Sequence, residues 1–322
     1  MADSGPRKPG NSKEIDCTDN DVPKAGLPFR CSGPTLAMIP AGWFLYRMAS
    51  PYSLKIFLPE GDPDGVRTIE KSNWTGHGLV FPRALLSEAK KRKELKRTGI
   101  YVLVGQDEDS ALPHVYIGEG DPVLGRLESH FVKKDFWTMC VSFTSKDESL
   151  NKAHIQYIES RLVELAGHAK RCVLENGNTP DQPSMSESDM ADAETFLSEM
   201  LLCFPALGLG MFTRSAAKST AASNLLVMSA KGVKAQGQEM PNGFLVKAGS
   251  FAVIEDTPAI PERVRNLRQY LVKEGVLSPD GGAFVFKQDY LFSSWSAAAS
   301  VILARSASGP QNWKAKGEIS KK

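Results

Sequence analysis

The chain has 322 residues, of which 42% are hydrophobic and 24% charged. That composition excludes collagen-like and wholly disordered chains, and the length suits two or three domains at roughly 100–200 residues each. With 39 Lys and Arg against 37 Asp and Glu, the net charge of +2 singles out no partner. No apolar run approaches the roughly 18–20 residues of a membrane span, and the most apolar early stretch, 36–46, is interrupted by Pro40. The five cysteines (Cys17, Cys31, Cys140, Cys172, Cys203) form no CxxC pair. Neither a zinc site nor a disulfide framework is expected, and free thiols suit a reducing, cytoplasmic setting. No secretory leader is evident.

Residues 1–50 are rich in Pro, Gly, Ser and Asp and predict a flexible leader. The text changes character at Met48, so this leader is either a start-site extension or a genuine tail. Residues 51–97 predict an N-terminal β-rich segment followed by a helix over 83–96, with Leu85, Leu86 and Ala89 inward. That helix carries Lys90, Lys91, Arg92, Lys93, Lys96 and Arg97. Such a run is either a solvated helix face or a patch that contacts nucleic-acid phosphates.

Strands are predicted over 98–105 and 115–118, joined as a hairpin by a long polar loop. Asp121 is the expected N-cap and Pro122 the first residue of a helix with Leu124, Leu127 and Phe131 inward. A third strand over 136–143 precedes a helix over 150–166 that buries Ile155, Ile158, Leu162 and Leu165. Between Arg171 and Arg214 no Lys or Arg occurs. This acidic connector, 181–223, contains a predicted helix over 187–203 with Met190, Phe196, Leu197, Met200 and Leu201 inward. Residues 214–322 hold 15 Lys and Arg against 8 Asp and Glu, a balance of +7, which suits a polyanion partner.

The chemistry concentrates in residues 98–180. Tyr101 and Tyr116 each sit mid-strand between Gly and Ile neighbours. Arg126 and His130 stand four apart, on one face of the following helix. Glu159 falls inside the apolar stripe of the next helix, where a carboxylate is costly unless paired or metal-bound. It either pairs with Arg161 or Arg126 or holds a cation. His77, His114, His154 and His168 match no ligand spacing.

The ordered set Gly99-Ile100-Tyr101, Tyr116-Ile117-Gly118, Arg126, His130 and Glu159 resembles the GIY-YIG nuclease family. The resemblance implies a small α/β domain over 98–180, a three-stranded antiparallel sheet flanked by helices. It implies cleavage of DNA phosphodiester bonds, with Mg²⁺ or Mn²⁺ on Glu159 and a tyrosine as general base, Tyr101 ahead of Tyr116. Arg126 would bind phosphate oxygens, and Asn176 or Asn178 would be the family's closing asparagine. The hairpin loop and the segment before these asparagines are both longer than in compact members. No small-molecule cofactor and no membrane partner are expected.

A second resemblance lies in residues 224–322. The stretches GFLVKAGSFAV, RVRNLRQYLVKEGVL and DYLFSSWSAAASVILARSASGPQNWK resemble an uncharacterised domain that often follows GIY-YIG domains. The Phe-Ser-Ser-x-Ser-x-Ala-Ala pattern is also similar to the RAMA domain, proposed to read modified DNA. Gly309-Pro310-Gln311 departs from that family's Gly-Trp stretch. Trp295 and Trp313 are either core residues or base-stacking platforms. The expected whole is an α/β endonuclease with a basic α+β module that positions DNA, in restriction, defence or repair. The alternative is a non-cleaving DNA-binding or modification-sensing protein on the same scaffold.

Overall fold

Alternating apolar residues place the first half of the chain in strands. The computed structural model, which describes residues 51–213 and 225–315, gathers them into one sheet. In chain order come β1 (Leu54–Phe57), β2 (Arg67–Lys71), β3 (Gly76–Pro82), α1 (Leu86–Ala89), β4 (Gly99–Gly105) and β5 (His114–Gly120). Then follow α2 (Val123–Lys133), β6 (Met139–Ser145), α3 (Lys152–Ala169), β7 (Val173–Leu174) and α4 (Glu187–Leu201). The sheet order is β1-β2-β3-β6-β4-β5-β7, antiparallel except where β7 runs parallel to β5. The α/β class is as expected. The three antiparallel strands β6, β4 and β5 are present, but inside a seven-stranded sheet. The segment at 51–82 is therefore no separate layer, because β3 pairs with β6 along its whole length. The 1–50 leader, with the proposed start at Met48, and residues 214–224 and 316–322 lie outside the described residues.

Three local expectations are corrected. The helix predicted over 83–96 breaks into a 3-10 turn (Arg83–Leu85), α1 and a second 3-10 turn (Lys93–Lys96), with Arg92 extended between them. At about 100° per residue, one continuous helix would put Leu95 on the side opposite Leu86. The break lets both pack into the same core. Asp121 does not cap α2; it accepts a hydrogen bond from Thr98 Oγ1 at 2.7 Å, and Pro122 occupies the cap position. The inward stripe of α2 is Val123, Leu127 and His130, rotated one residue from expectation, so Phe131 is exposed. Arg83 holds this helix end, donating to the carbonyls of Phe131 and Lys134 with its guanidinium 4.5 Å from the Phe131 ring centre.

The two sheet faces build two cores. Ile100, Val102, Val115 and Ile117 point to the face covered by α3 (Ile155, Ile158, Leu162) and by α4 (Phe196, Leu197, Met200). Tyr101 and Leu103, their alternates, point to the face covered by α1, Leu95 and α2. Strand β4 is consequently buried along its entire length. The acidic connector helix docks on α3, where Glu194 accepts hydrogen bonds from Tyr157 (2.9 Å) and Arg161 (2.6 Å).

The C-terminal module comprises β8 (Leu225–Ala230), β9 (Val233–Met240), β10 (Gly243–Val246), β11 (Phe251–Val253), α5 (Glu262–Lys273), β12 (Leu277–Asp280) and β13 (Ala283–Phe286). It ends with β14 (Tyr290–Phe292), α6 (Trp295–Leu303), α7 (Gly309–Asn312) and β15 (Lys314–Ala315). A five-stranded sheet, β14-β10-β9-β8-β15, and a three-stranded sheet, β11-β13-β12, enclose the small-residue helix α6. Trp313 is buried with its ring centre 4.5 Å from that of Phe244, a core role. The long β4–β5 loop, 106–113, docks this module on the first. Ala111 and Leu112 pack on its core, and Asn266 donates to the Asp109 carbonyl at 2.9 Å. Tyr270 and Tyr290 donate to the carbonyls of Cys172 and Lys170. No helix among the described residues is long and apolar enough to cross a membrane.

Gly99 opens β4 with its α-carbon against the neighbouring strand. A Cβ there would lie 2.4 Å from the Phe143 carbonyl oxygen, which is backbone and cannot swing away. Gly99→Ala is expected to destabilise the protein by about 1–3 kcal/mol, read as a lower midpoint in urea unfolding with an unchanged slope.

Candidate active site

Strand parity brings the two phenols together. Tyr101 and Tyr116, on adjacent strands, face α2 with ring centres 6.3 Å apart. Gly118 leaves the room this needs: a Cβ at that position would fall 2.4 Å from the Tyr101 hydroxyl oxygen. His130 descends from α2 between them. Its ring centre is 4.7 Å from that of Tyr116, edge-on, and its Nδ1 makes a long 3.4 Å contact with the Tyr101 hydroxyl. Arg126, one turn earlier on α2, is exposed at the rim. Lys134 covers the other side of Tyr116, its ammonium 4.4 Å from the ring centre.

Glu159 approaches from α3. Among the described residues it accepts no hydrogen bond and forms no ion pair. Arg161 instead pairs with Glu164 and Glu194, so the structural-pair alternative does not account for Glu159. Burial raises its carboxyl to about 7, Glu119 adds to the rise, and Arg126 and Lys152 oppose it. The same carboxylate acts on both Tyr101 and Tyr116, and Arg126 acts on both in the opposite sense. Tyr101, Tyr116, Arg126, His130 and Glu159 therefore share one electrostatic neighbourhood.

Burial dominates the protonation of this group. Tyr101 is fully buried, and its phenol lies far above its ordinary value, first through burial and then through Tyr116. Burial raises Tyr116 too, with Glu159 adding, while Arg126 and the Tyr101 hydroxyl favour its phenolate. Tyr116 is only half-buried. The two phenols, of which the sequence put Tyr101 ahead of Tyr116 as base, differ in exposure. Tyr101 is shut away from water, whereas Tyr116 borders it. Burial lowers His130 to about 4, and Lys134, Arg126 and Lys133 act in the same direction. Its imidazole is neutral at pH 7.

Glu119 went unnoticed in the sequence. It shares the inward parity of Val115 and Ile117, an acid at an apolar position, which is the same signal that marks Glu159. It is buried, and Lys152 Nζ sits 2.5 and 2.6 Å from its two oxygens. Among the described residues no three His, Cys, Asp or Glu side chains gather into a metal cage. A hard cation with mostly water ligands needs only one or two carboxylates. A half-buried Glu159 without a partner, beside a second carboxylate, fits that requirement.

The two asparagines separate cleanly. Asn176 Oδ1 accepts from the Ile117 N–H at 3.0 Å, and its Nδ2 donates to the Ile117 carbonyl at 2.8 Å. It thereby satisfies the β5 edge just past the two-residue pairing with β7. Asn178 is exposed. The basic run also divides. Lys90 pairs with Glu128, Arg92 with Glu94, and Arg97 donates to the carbonyls of Ser145 and Lys146. Lys91, Lys93 and Lys96 remain exposed, next to residues that pack with α2.

A family model described as Domain of unknown function (DUF4357) matches residues 226–321. The resemblance of the preceding residues to GIY-YIG nucleases draws no family match. Comparison with curated proteins gives no match, and neither does comparison with solved structures.

Asn176→Ala strips two backbone groups of their partner and is expected to cost about 1–3 kcal/mol, whereas Asn178→Ala leaves the thermal midpoint unchanged. For His130, the unfolded side chain takes a proton near pH 6.5 and the folded one only near 4. Its stabilising contribution is complete above pH 6.5 and is lost as pH falls toward 4. A pH series of thermal midpoints should fall less steeply between pH 6.5 and 4 in His130→Gln than in the wild type.

Proposed function

We propose that this protein is a divalent-metal-dependent endonuclease that hydrolyses DNA phosphodiester bonds. One observation carries the reading: two phenols and an imidazole are in contact on one sheet face, and a rim guanidinium and an unpartnered carboxylate on α3 act electrostatically on both phenols. The paired tripeptides Gly99-Ile100-Tyr101 and Tyr116-Ile117-Gly118, with their resemblance to GIY-YIG nucleases, support it. So does the continuation into a DUF4357 match, since the notable stretches of that module resemble a domain that follows such nucleases.

Each residue then has a task. Arg126, exposed at the rim, gives charge-assisted hydrogen bonds to the non-bridging oxygens of the scissile phosphate. Tyr116 borders solvent and takes a proton from the attacking water. Its starting phenol is protonated, so the approach of positive charge is what brings its pKa into a useful range. Tyr101 acts behind it, donating toward the Tyr116 oxygen and fixing its ring. Neutral His130 packs between them, its Nδ1 in long contact with the Tyr101 hydroxyl. Glu159, with Glu119 at its back, would hold Mg²⁺ or Mn²⁺, which supplies Lewis-acid stabilisation of the departing oxygen when bound. Lys91, Lys93 and Lys96 supply sequence-independent backbone contacts.

A second reading, DNA binding without cleavage, gains from one observation: both phenols and half of Glu159 rest protonated near pH 7. Plasmid nicking in Mg²⁺ or Mn²⁺ separates the two. Arg126→Ala, Glu159→Gln and Tyr116→Phe are each expected to lower the nicking rate by about 10²–10⁴-fold, and Tyr101→Phe by less than Tyr116→Phe. Salt-dependent DNA binding with no nicking by the wild type would establish the second reading instead.

A further inference from the structure

The junction between the two modules encloses a cavity of about 310 Å³. It lies past the far end of β4 from the phenol site, floored by Val104 and Gln106. Its walls are Leu112 and Pro113 of the docking loop, the turn 208–211, and Leu291, Phe292 and Ala297 of the C-terminal module. These walls are mostly apolar. One charged group enters them, the guanidinium of Arg171.

Arg171 is half-buried, and burial lowers its pKa. Its Nη1 donates to the Gly210 carbonyl at 3.0 Å. It forms no ion pair with any acid among the described residues. The two nearest ionisable groups acting on it, Tyr290 and Cys172, are themselves neutral, since burial holds the tyrosine above its ordinary value and raises the thiol to about 12. A buried cation without a counter-charge is unfavourable unless an anion completes it. Arg268, a more deeply buried arginine of the C-terminal module, shows the contrast. It is saturated by Asp256 and by the carbonyls of Val253, Ile254 and Val301. An apolar pocket of a few hundred Å³ with one convergent charged group has the makeup of a small-molecule site.

We propose that this cavity binds a small organic anion, an apolar or aromatic body carrying one carboxylate, sulfonate or phosphate that pairs with Arg171. The planar guanidinium offers two parallel donors to such a head group. The body displaces water from Leu112, Leu291 and Phe292. Because the walls come from both modules, the occupied cavity holds the modules together, and the ligand stabilises the folded chain by mass action. The inference is independent of the nuclease reading.

The test uses the full chain and 1-anilino-8-naphthalenesulfonate, an aromatic anion that fluoresces when it leaves water. The wild type is expected to bind it saturably at one site. Its neutral counterpart, N-phenyl-1-naphthylamine, is expected to bind at least about tenfold more weakly. Arg171→Gln should weaken the sulfonate about tenfold while leaving the neutral probe unchanged. Ala297→Leu, which fills the cavity without touching the guanidinium, should weaken both, and it keeps the proposal testable should Arg171→Gln fail to fold. Absence of saturable binding by the wild type overturns the proposal. So does equal affinity for the charged and neutral probes, or undiminished affinity in Ala297→Leu.

Discussion

Strand β4 lies between two apolar layers, and no residue along it reaches water freely. On one side it meets α3 and α4; on the other, α1, Leu95 and α2. Each well-buried aliphatic side chain in these layers contributes about 1.5–3 kcal/mol, enough to hold a tyrosine hydroxyl out of solvent. The protonation of the site follows from this burial. The phenol of Tyr101 is neutral because its anion would be unsolvated. The imidazole of His130 is neutral because its cation would be, and the Lys and Arg residues around it reinforce that. Glu159 is poised between charged and neutral because only half of it is out of water and a second carboxylate stands near. These groups are all displaced from their ordinary values, Tyr101, Tyr116 and Glu159 upward and His130 downward, a condition that clusters at functional sites.

The same layering explains the length of the β4–β5 loop. A tight turn would suffice to connect two antiparallel strands. Here residues 106–113 leave the sheet and insert Ala111 and Leu112 into the C-terminal module, with Asp109 bonded to Asn266. The strands that carry the two phenols thus share a loop with the module that matches the DUF4357 family. Besides Asn266 on Asp109 and Lys170 on the Glu274 carbonyl, the polar contacts at the seam include tyrosine hydroxyls on backbone carbonyls, Tyr270 to Cys172 and Tyr290 to Lys170. Such contacts fix orientation more than they add strength.

Much of the architecture was readable from pattern alone. The apolar run through Gly99–Gly105 placed a strand, and the helical stripe Ile155, Ile158, Leu162 placed a helix with its inward face. What escaped was long-range pairing and competition between neighbours. Nothing local tells that β3 will pair with β6, since the residues that meet, Gly78 and Phe143 among them, are far apart in sequence. The break at Arg92 was hidden because charge runs look helical. It becomes necessary only once Leu86 and Leu95 are seen to fill one core. Phe131 misled for the opposite reason. Hydrophobicity argued for burial, yet the sheet ends beneath His130, and the phenyl ring settles on Arg83 instead. The candidate residues are legible in type and spacing, while their protonation follows from solvation that only the fold shows.

Tyr101 and Tyr116 illustrate that last distinction. In sequence they are near-equivalent, each a tyrosine set beside isoleucine and glycine. Parity puts both on one face of the sheet, but β4 has a seven-residue strand on each side while β5 has on its outer side only the two-residue β7 at the sheet edge. Past Ile117, where Asn176 closes the edge, β5 has no further strand beside it. Tyr116 is only half-buried, with Lys134 over its ring, while Tyr101 is walled in by its neighbours. Position in the sheet therefore separates two like residues: the interior phenol is shut from solvent and the outer one borders it.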